Sequence, residues 1–485
     1  MGEAVRDVAR WGEWHSLNPF RMISADSSRD PSPGERPETR ELSALLVLAL
    51  PLAAANLGQV LIGFVDVAVL GRMGPLALGA GGLGNSLYFT FAVFGMGLML
   101  GLDPLLSQAA GAGDVRRSRR WLWQGLWLAL AVAIPLATVA HASGGLLERA
   151  GIAERSAVLT REYLFARLPG LLPYLLFVGA RSYLQAKGST KPILVGVVLA
   201  NLFNLPASWI LAMGDSGLDA LGLSPVGFEG LGVAGTAWAS SVSTAIQLLV
   251  LARAVRDSSS GTMVPQPPEV RLMWKALRLG APIGAAMLAE YGVFALVNVL
   301  MGNLDAMALA GHQVALAFAG TTFVIPVGIG AAAAVRVGRA VGRGDASGTR
   351  RAGVVGIAAG GGFMLAAALV FWTVPAELAV VVTDNPHVVV TAVPLLLIAA
   401  LFQLSDGVQA VAAGALRGAG DTQWPLWLNL AGHYLIGLPV GVALAFGFGC
   451  GAAGLWWGLS VGLTTVAVGL TARFWRLSAR PVARV

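Results

Sequence analysis

Twelve long apolar runs separated by short polar loops restrict this chain to one solvent, the interior of a lipid bilayer. The runs fall near residues 43–70, 78–106, 121–142, 157–180, 192–213, 231–254, 277–301, 309–334, 352–373, 387–416, 424–447 and 450–472. Each is long enough to cross a hydrocarbon core about 30 Å thick as a helix. Charged residues make up 12% of the 485 residues and hydrophobic ones 56%. An average soluble chain carries about 25% charged residues, so this one lacks the polar surface to face water. Its 63 glycines would be costly in soluble helices, but in membranes small residues let helices approach closely. The expected fold is all-α and integral to the membrane, with twelve transmembrane helices.

The loops set the orientation. Basic residues collect in alternate loops: Arg116, Arg117, Arg119 and Arg120 in the second; Arg181, Lys187 and Lys191 in the fourth; Arg253, Arg256, Arg271, Lys275 and Arg278 in the sixth. The eighth holds Arg336, Arg339, Arg343, Arg350 and Arg351, and the C-terminal segment holds Arg473, Arg476, Arg480 and Arg484. The fifth, seventh, ninth and eleventh loops have no Lys or Arg. By the positive-inside rule both termini are expected in the cytoplasm, in a bacterial inner membrane. The net charge of +7 therefore reflects topology rather than a nucleic-acid surface, and no nucleic-acid partner is expected. Residues 1–40, polar and rich in Ser, Pro, Arg and Glu, read as a disordered cytoplasmic tail without a signal peptide.

The chain also repeats itself. At an offset of 231 residues Pro51 aligns with Pro282, Gly71 with Gly302, Gly111-Ala112-Gly113-Asp114 with Gly342-Arg343-Gly344-Asp345, and Arg119-Arg120 with Arg350-Arg351. Each repeat holds six helices, an even number, so both halves enter from the same side. Two six-helix bundles, 41–256 and 277–474, are then related by a pseudo-two-fold axis along the membrane normal. A cytoplasmic linker over 257–276 joins them, and 475–485 forms a second cytoplasmic tail.

Acidic residues at membrane depth cost about 2.5–3.5 kcal/mol each on insertion scales, so they mark function or pairing. Three stand out. Asp66 lies late in the first run, with Gln59 on its face. Glu290 lies in the seventh, followed by Phe294 and Asn298 at helical spacing, and at the 231 offset it falls on Gln59. Asp406 lies in the tenth, with Phe402 and Gln409 on its face. Blander readings suit the other polar residues. Asp103 is expected to be structural, Asp114 and Asp345 to cap or pair locally, and Arg167 to snorkel to an interface. His312 and His433 read as hydrogen-bonded helix contacts, and Cys450 as a small buried residue. No His, Cys and carboxylate grouping has metal-ligand spacing, and no Gly-rich stretch carries the Lys and Ser/Thr of a phosphate loop. No cofactor and no enzymatic activity are expected.

Several motifs resemble those of the multidrug and toxic compound extrusion (MATE) family. They are Val335-Arg336-Val337-Gly338-Arg339 through Gly344-Asp345 after Pro326; Pro51 fifteen residues before Asp66, with Gly71-Arg72-Met73-Gly74 following; Ser107 to Asp114; Phe402 to Gln409; and Gly414 to Thr422. The resemblance covers residues 43–470. It implies a V-shaped pair of bundles around a central cavity, and export of organic cations and amphipathic drugs by a single chain, driven by inward flow of Na⁺ or H⁺. It assigns coupling to Asp66, Glu290 and Asp406, with Na⁺ expected at Glu290 and Asp406 if Na⁺ is the ion, and helix bending to Pro51. The presence of both Glu290 and Asp406 looks like the NorM-type branch. In the fifth helix Asn204 matches the family, but Ser208 stands where Asn or Asp is common, which weakens a cation site in the first half. Phe402 stands where some members have Tyr.

The expected mechanism is competition: a bound organic cation holds the carboxylates ionised, and an entering H⁺ or Na⁺ displaces it. Phe294 and Phe402 would add apolar or cation–π contacts. A lipid-linked sugar flippase of the same superfamily is the nearest alternative. It needs an Arg-rich cavity for an anionic headgroup, and too few Arg or Lys are expected at membrane depth. An intramembrane enzyme would need a nucleophile with a base or a metal site, and none is apparent.

Overall fold

The computed structural model describes residues 37–220, 222, 224–258 and 264–485. Twelve of its helices are long and apolar enough to cross a membrane. They are α1 (Pro37–Arg72), α2 (Pro75–Gly111), α3 (Val115–Gly144), α4 (Glu154–Ala186), α5 (Lys191–Met213), α6 (Val233–Asp257), α7 (Val270–Leu304), α8 (Ala306–Arg343), α9 (Ala346–Thr373), α10 (Pro386–Ala419), α11 (Gln423–Gly447) and α12 (Gly451–Leu477). Of the tail expected over 1–40, only 37–40 lie within the described residues, and they form the first turn of α1. Pro37 at the helix start and Glu38 in the first turn suit that terminus. The seventh helix likewise starts at Val270, inside the stretch read as linker.

Each half has its own apolar core. In the first half Leu102, Trp121, Leu175, Phe177 and Tyr183 pack together. In the second Phe371, Leu395, Phe402, Trp456 and Leu463 do so. Outward-facing Leu50, Phe64, Leu202, Val381 and Leu435 stay exposed, the surface a helix bundle presents to lipid.

At several crossings the halves meet through bare backbone, and beside them Leu45 and Leu48 of α1 pack against Ile329 and Val335 of α8. A Cβ on Gly97 of α2 would collide with Gly284 of α7, and one on Gly101 with Gly280. Moving Gly97–Gly284 by the 231-residue offset interchanges the halves and gives Gly328–Ala53, a second backbone-close contact between α8 and α1. The same operation turns the close approach of Gly111 to Arg339 into that of Gly342 to Gln108. The duplication is therefore a pseudo-two-fold in space. It extends to the loops: Gly113 (φ 71°) and Gly344 (φ 73°) make matching left-handed turns. After them Asp114 accepts a hydrogen bond from the Arg117 backbone N–H, and Asp345 from that of Gly348, both at 2.8 Å. The expected local capping is what these two aspartates do.

At the end of the molecule that carries the basic loops the halves are tied by polar contacts. Arg336 of α8 grips Glu41 of α1 with two hydrogen bonds of 2.7 Å. The Arg339 guanidinium donates to the Ala186 carbonyl at 3.0 and 2.9 Å, and Gln108 Nε2 donates to the Gly418 carbonyl at 3.2 Å. Arg417 of α10 pairs with Asp103 of α2 at 3.3 Å. The linker is pinned to α3 at this end too. Gln124 Nε2 donates to the Pro267 carbonyl, Gln124 Oε1 accepts from the Glu269 N–H, and Arg120 pairs with Glu269.

Candidate functional site

Above these ties lies a cavity of about 430 Å³ whose wall includes Gln59, Asp66, Tyr88, Arg167, Tyr174, Arg181, Gln185, Ser240, Met287 and Arg417. A larger groove of about 650 Å³ between α1 and α5 is apolar and holds no titratable group, so the chemistry belongs to the first. Asp66 is buried and accepts two hydroxyl hydrogen bonds, from Ser240 on α6 at 2.7 Å and from Ser208 on α5 at 3.3 Å. Asn204 Nδ2 in turn donates to Ser240 Oγ at 3.3 Å. One helical turn separates Asn204 from Ser208, and both face α6, which closes an Asn204–Ser240–Asp66 chain. Gln59 and Gln247 exchange amide hydrogen bonds of 2.8 and 3.3 Å farther along α1 and α6.

The other two carboxylates sit apart from Asp66, inside the second half. Asn429 Nδ2 of α11 donates to Glu290 Oε2 at 3.3 Å, and Gln409 lines the same small cavity as Glu290. Asp406 is buried beside Glu290, close enough for the two to interact electrostatically. Glu290, Gln409 and Asn429 line a small cavity of about 90 Å³ that runs to Asp421 and Thr422 at the basic-loop end. Met287 and Arg417 border both cavities and form the wall between them. Gln409 Oε1 and Asn429 Oδ1 are buried acceptors with no hydrogen-bond partner within the protein. Two carboxylates with spare amide oxygens make an oxygen-rich setting for a proton or a hard cation.

A family model described as MatE matches the chain twice, over residues 51–210 and 282–443. The two matches begin at Pro51 and Pro282, the positions from which the internal repeat is counted. The chain belongs to the MATE family, NorM-type branch. It is 36% identical over 450 residues to the "Probable multidrug resistance protein NorM" of Bradyrhizobium diazoefficiens, covering 91% of this chain and 95% of that one. Its fold is similar to that of the eukaryotic MATE transporter AtDTX14, with a TM-score of 0.80 at 23% identity over 91% of this chain and 98% of that one. It is equally similar to a multidrug resistance MATE family transporter in its outward-facing conformation, at TM-score 0.81 and 19% identity, covering 90% and 96%.

Within this MATE chain several residues lie elsewhere than expected. Arg167 does not snorkel to an interface. A 3₁₀ break at Leu168–Gly170, forced by Pro169, ends the first half of α4 and leaves Arg167 in the cavity wall, its guanidinium 4.2 Å from the centre of the Tyr88 ring. Arg181, read as a loop residue, belongs to α4 and lines the cavity, and Arg417 does so from α10. The expectation of too few arginines at membrane depth is therefore wrong, because three of them converge on one chamber.

Phe402 is buried in the core of the second half, edge-on to Phe294 at 6.2 Å and to Trp456 at 5.7 Å, and neither phenylalanine lines the two cavities. The face it shares with Asp406 points into the bundle rather than into the cleft. The imidazoles of His312 and His433 are buried with neither nitrogen hydrogen-bonded, contrary to expectation; His312 packs edge-on against Trp456 at 5.7 Å, and His433 lies in a π-helical stretch, Ala431–Gly437. Cys450 is exposed, because it precedes the Gly451 turn into α12 rather than lying inside it. Asp103 is buried and paired, accepting from Ser182 Oγ at 2.6 Å besides its contact with Arg417. Ser240, Gln247 and Asn429 were not singled out in the sequence, because Ser, Gln and Asn in apolar runs carry no pattern until the helices are packed.

Proposed function

We propose that this MATE protein is an antiporter that exports organic cations and other amphipathic compounds in exchange for inward-moving H⁺ or Na⁺. The observation that carries this reading is the pair of separate buried carboxylate sites that share one wall. Asp66 offers a carboxylate to the large cavity, while Glu290, with Asp406 buried beside it, stands behind Met287 and Arg417 on a small cavity that reaches toward the basic-loop end. A cationic group entering the large cavity replaces water at Asp66 and draws on a carboxylate whose hydroxyl donors, Ser240 and Ser208, are already aligned. Uptake of an ion at Glu290 and Asp406 removes negative charge behind the wall. The field at the substrate cavity then becomes less favourable to a bound cation, which promotes its departure.

Under the positive-inside rule the alternation of basic loops supports a reading in which they are cytoplasmic, in a bacterial inner membrane, with the ties between the halves on that side. The state described here is then closed inward. Alternating access consists of breaking those ties while the halves rock about the glycine seam, with Pro51 letting α1 bend. A single chain contains both halves and the whole cavity, and works as a monomer. The multidrug names of its relatives agree with a broad substrate range.

The test is efflux of a cationic dye from vesicles with pH and Na⁺ gradients imposed separately. Acceleration by one gradient supports the reading, and indifference to both overturns it. A flippase for lipid-linked sugars gains some favour from the cavity arginines. Under that reading an anionic lipid headgroup, not the dye, would respond to the gradients.

A further inference from the structure

Two grooves in the surface turned toward lipid differ in their charge. The groove between α1 and α5 has no charged residue in its wall. A second groove, of about 620 Å³, runs between α10 and α12. Leu404, Val408, Ala467 and Val468 make it apolar, and it ends at Trp475 and Arg476. It follows α12 from Thr464 to Arg476, about 18 Å at the helical rise. One leaflet's share of a hydrocarbon core is about 15 Å. The groove therefore has the length of a single acyl chain, with its charged end at the membrane surface.

At that end Trp475 is half exposed, and the Arg350 guanidinium of α9 lies 4.4 Å from the centre of its ring. The indole face holds Arg350 beside the groove, and Arg476 stands at the mouth from the next position on α12. Among the described residues neither arginine has an acidic side chain within ion-pairing distance. Arg473, on the same turn of α12, is by contrast paired with Asp421 at 2.7 Å. Two uncompensated guanidinium groups at the mouth of an apolar groove match a ligand with a negative head and a hydrocarbon tail.

We propose that the α10–α12 groove binds an anionic phospholipid from the leaflet at the basic-loop end, its phosphate held by Arg350 and Arg476 and an acyl chain lying along Val408 and Val468. A zwitterionic lipid brings its own positive charge to the arginines, so the site selects by headgroup charge. The bound lipid braces α10, the helix that carries Asp406.

The full chain, stripped of lipid in a maltoside detergent, is titrated with dioctanoyl phosphatidylglycerol and with dioctanoyl phosphatidylcholine, and Kd is measured by calorimetry. The wild type is expected to prefer the anionic lipid by about fivefold for each arginine. Arg350→Gln and Arg476→Gln each remove about fivefold, and the double variant loses the preference. Arg350→Lys and Arg476→Lys keep most of it, because a phosphate also accepts a point charge. Removing as much charge from the same end of the molecule, by Arg253→Gln with Arg256→Gln, leaves the preference unchanged. Equal affinity of the wild type for the two lipids overturns the proposal, and so does a preference that persists in a monodisperse Arg350→Gln, Arg476→Gln variant. An equal loss in the Arg253→Gln, Arg256→Gln variant assigns the preference to net surface charge and overturns the site. Glycerophosphoglycerol, the same headgroup without chains, is expected to bind at least about tenfold more weakly than the lipid, since the groove buries apolar surface of the chain. Binding as tight as the lipid's overturns the part assigned to the groove.

Discussion

Arg417 on α10 stands 3.3 Å from Asp103 on α2, an ion pair that joins the two halves at the base of the cavity. Both side chains are largely withdrawn from water, and Ser182 adds a second bond to the aspartate at 2.6 Å. Removing one partner of such a pair strands a buried charge, at a cost of roughly 3–5 kcal/mol. Asp103→Asn is therefore expected to favour opening at the basic-loop end. Spin labels on Val115 and Ala346 should report a longer mean distance in Asp103→Asn than in the wild type. The double variant Asp103→Asn, Arg417→Gln should be less perturbed than the sum of the single ones, because neither charge is then left alone.

Ser240 and Ser208 both donate to Asp66, but at 2.7 and 3.3 Å. The shorter bond is the stronger, so Ser240→Ala should weaken binding of a cationic dye more than Ser208→Ala. A hydrogen bond to a charged group is worth about 1.5–3 kcal/mol, so the Ser240→Ala loss is expected near tenfold or above. Titration of dye fluorescence measures both, and a reversed order would show that the Asp66 carboxylate is not the group the dye senses.

Asp406→Asn is expected to abolish gradient-driven efflux from vesicles while leaving the chain folded, because the amide keeps the shape of the side chain but not its exchangeable charge. Dye binding in the absence of a gradient should survive, since Asp406 does not line the large cavity. Full gradient-driven efflux by this variant would remove Asp406 from the coupling machinery.

Asp345 offers a test outside the membrane. Its carboxylate accepts from the Gly348 N–H and is held below the usual carboxylate range mainly by that bond. A group with a depressed value stabilises the fold above its unfolded value, and loses that contribution as pH falls through the folded one. The cap should therefore be intact at neutral pH and fade only in acid, below about pH 4. Asp345→Ala should cost about 1 kcal/mol at neutral pH, seen as a lower melting temperature in detergent, and the difference from wild type should shrink on acidification.

The architecture was legible in the sequence because two independent signals, hydropathy and the alternation of basic loops, gave one count, and because the Pro51–Pro282 offset survives in space as paired contacts. The carboxylates were legible for a similar reason: an acid in an apolar run is anomalous on its own. Arg181 and Arg417 were not. Hydropathy ends a span at the first strong charge, so arginines in the last turns of α4 and α10 read as loop, although the helices continue to Ala186 and Ala419. Phe402 was misread for a different reason. Helical spacing shows that it shares a face with Asp406, but not whether that face borders a cleft or a core.

The bare-backbone meeting of Gly97 with Gly284, repeated as Gly328 with Ala53, leaves no bulky side chain to be lifted clear at either crossing. In the proposed cycle these two crossings are the bearing. The work of the proposed stroke then falls on the far rim, in latches such as Glu41–Arg336, and it is those latches that an ion or a cargo would have to pick.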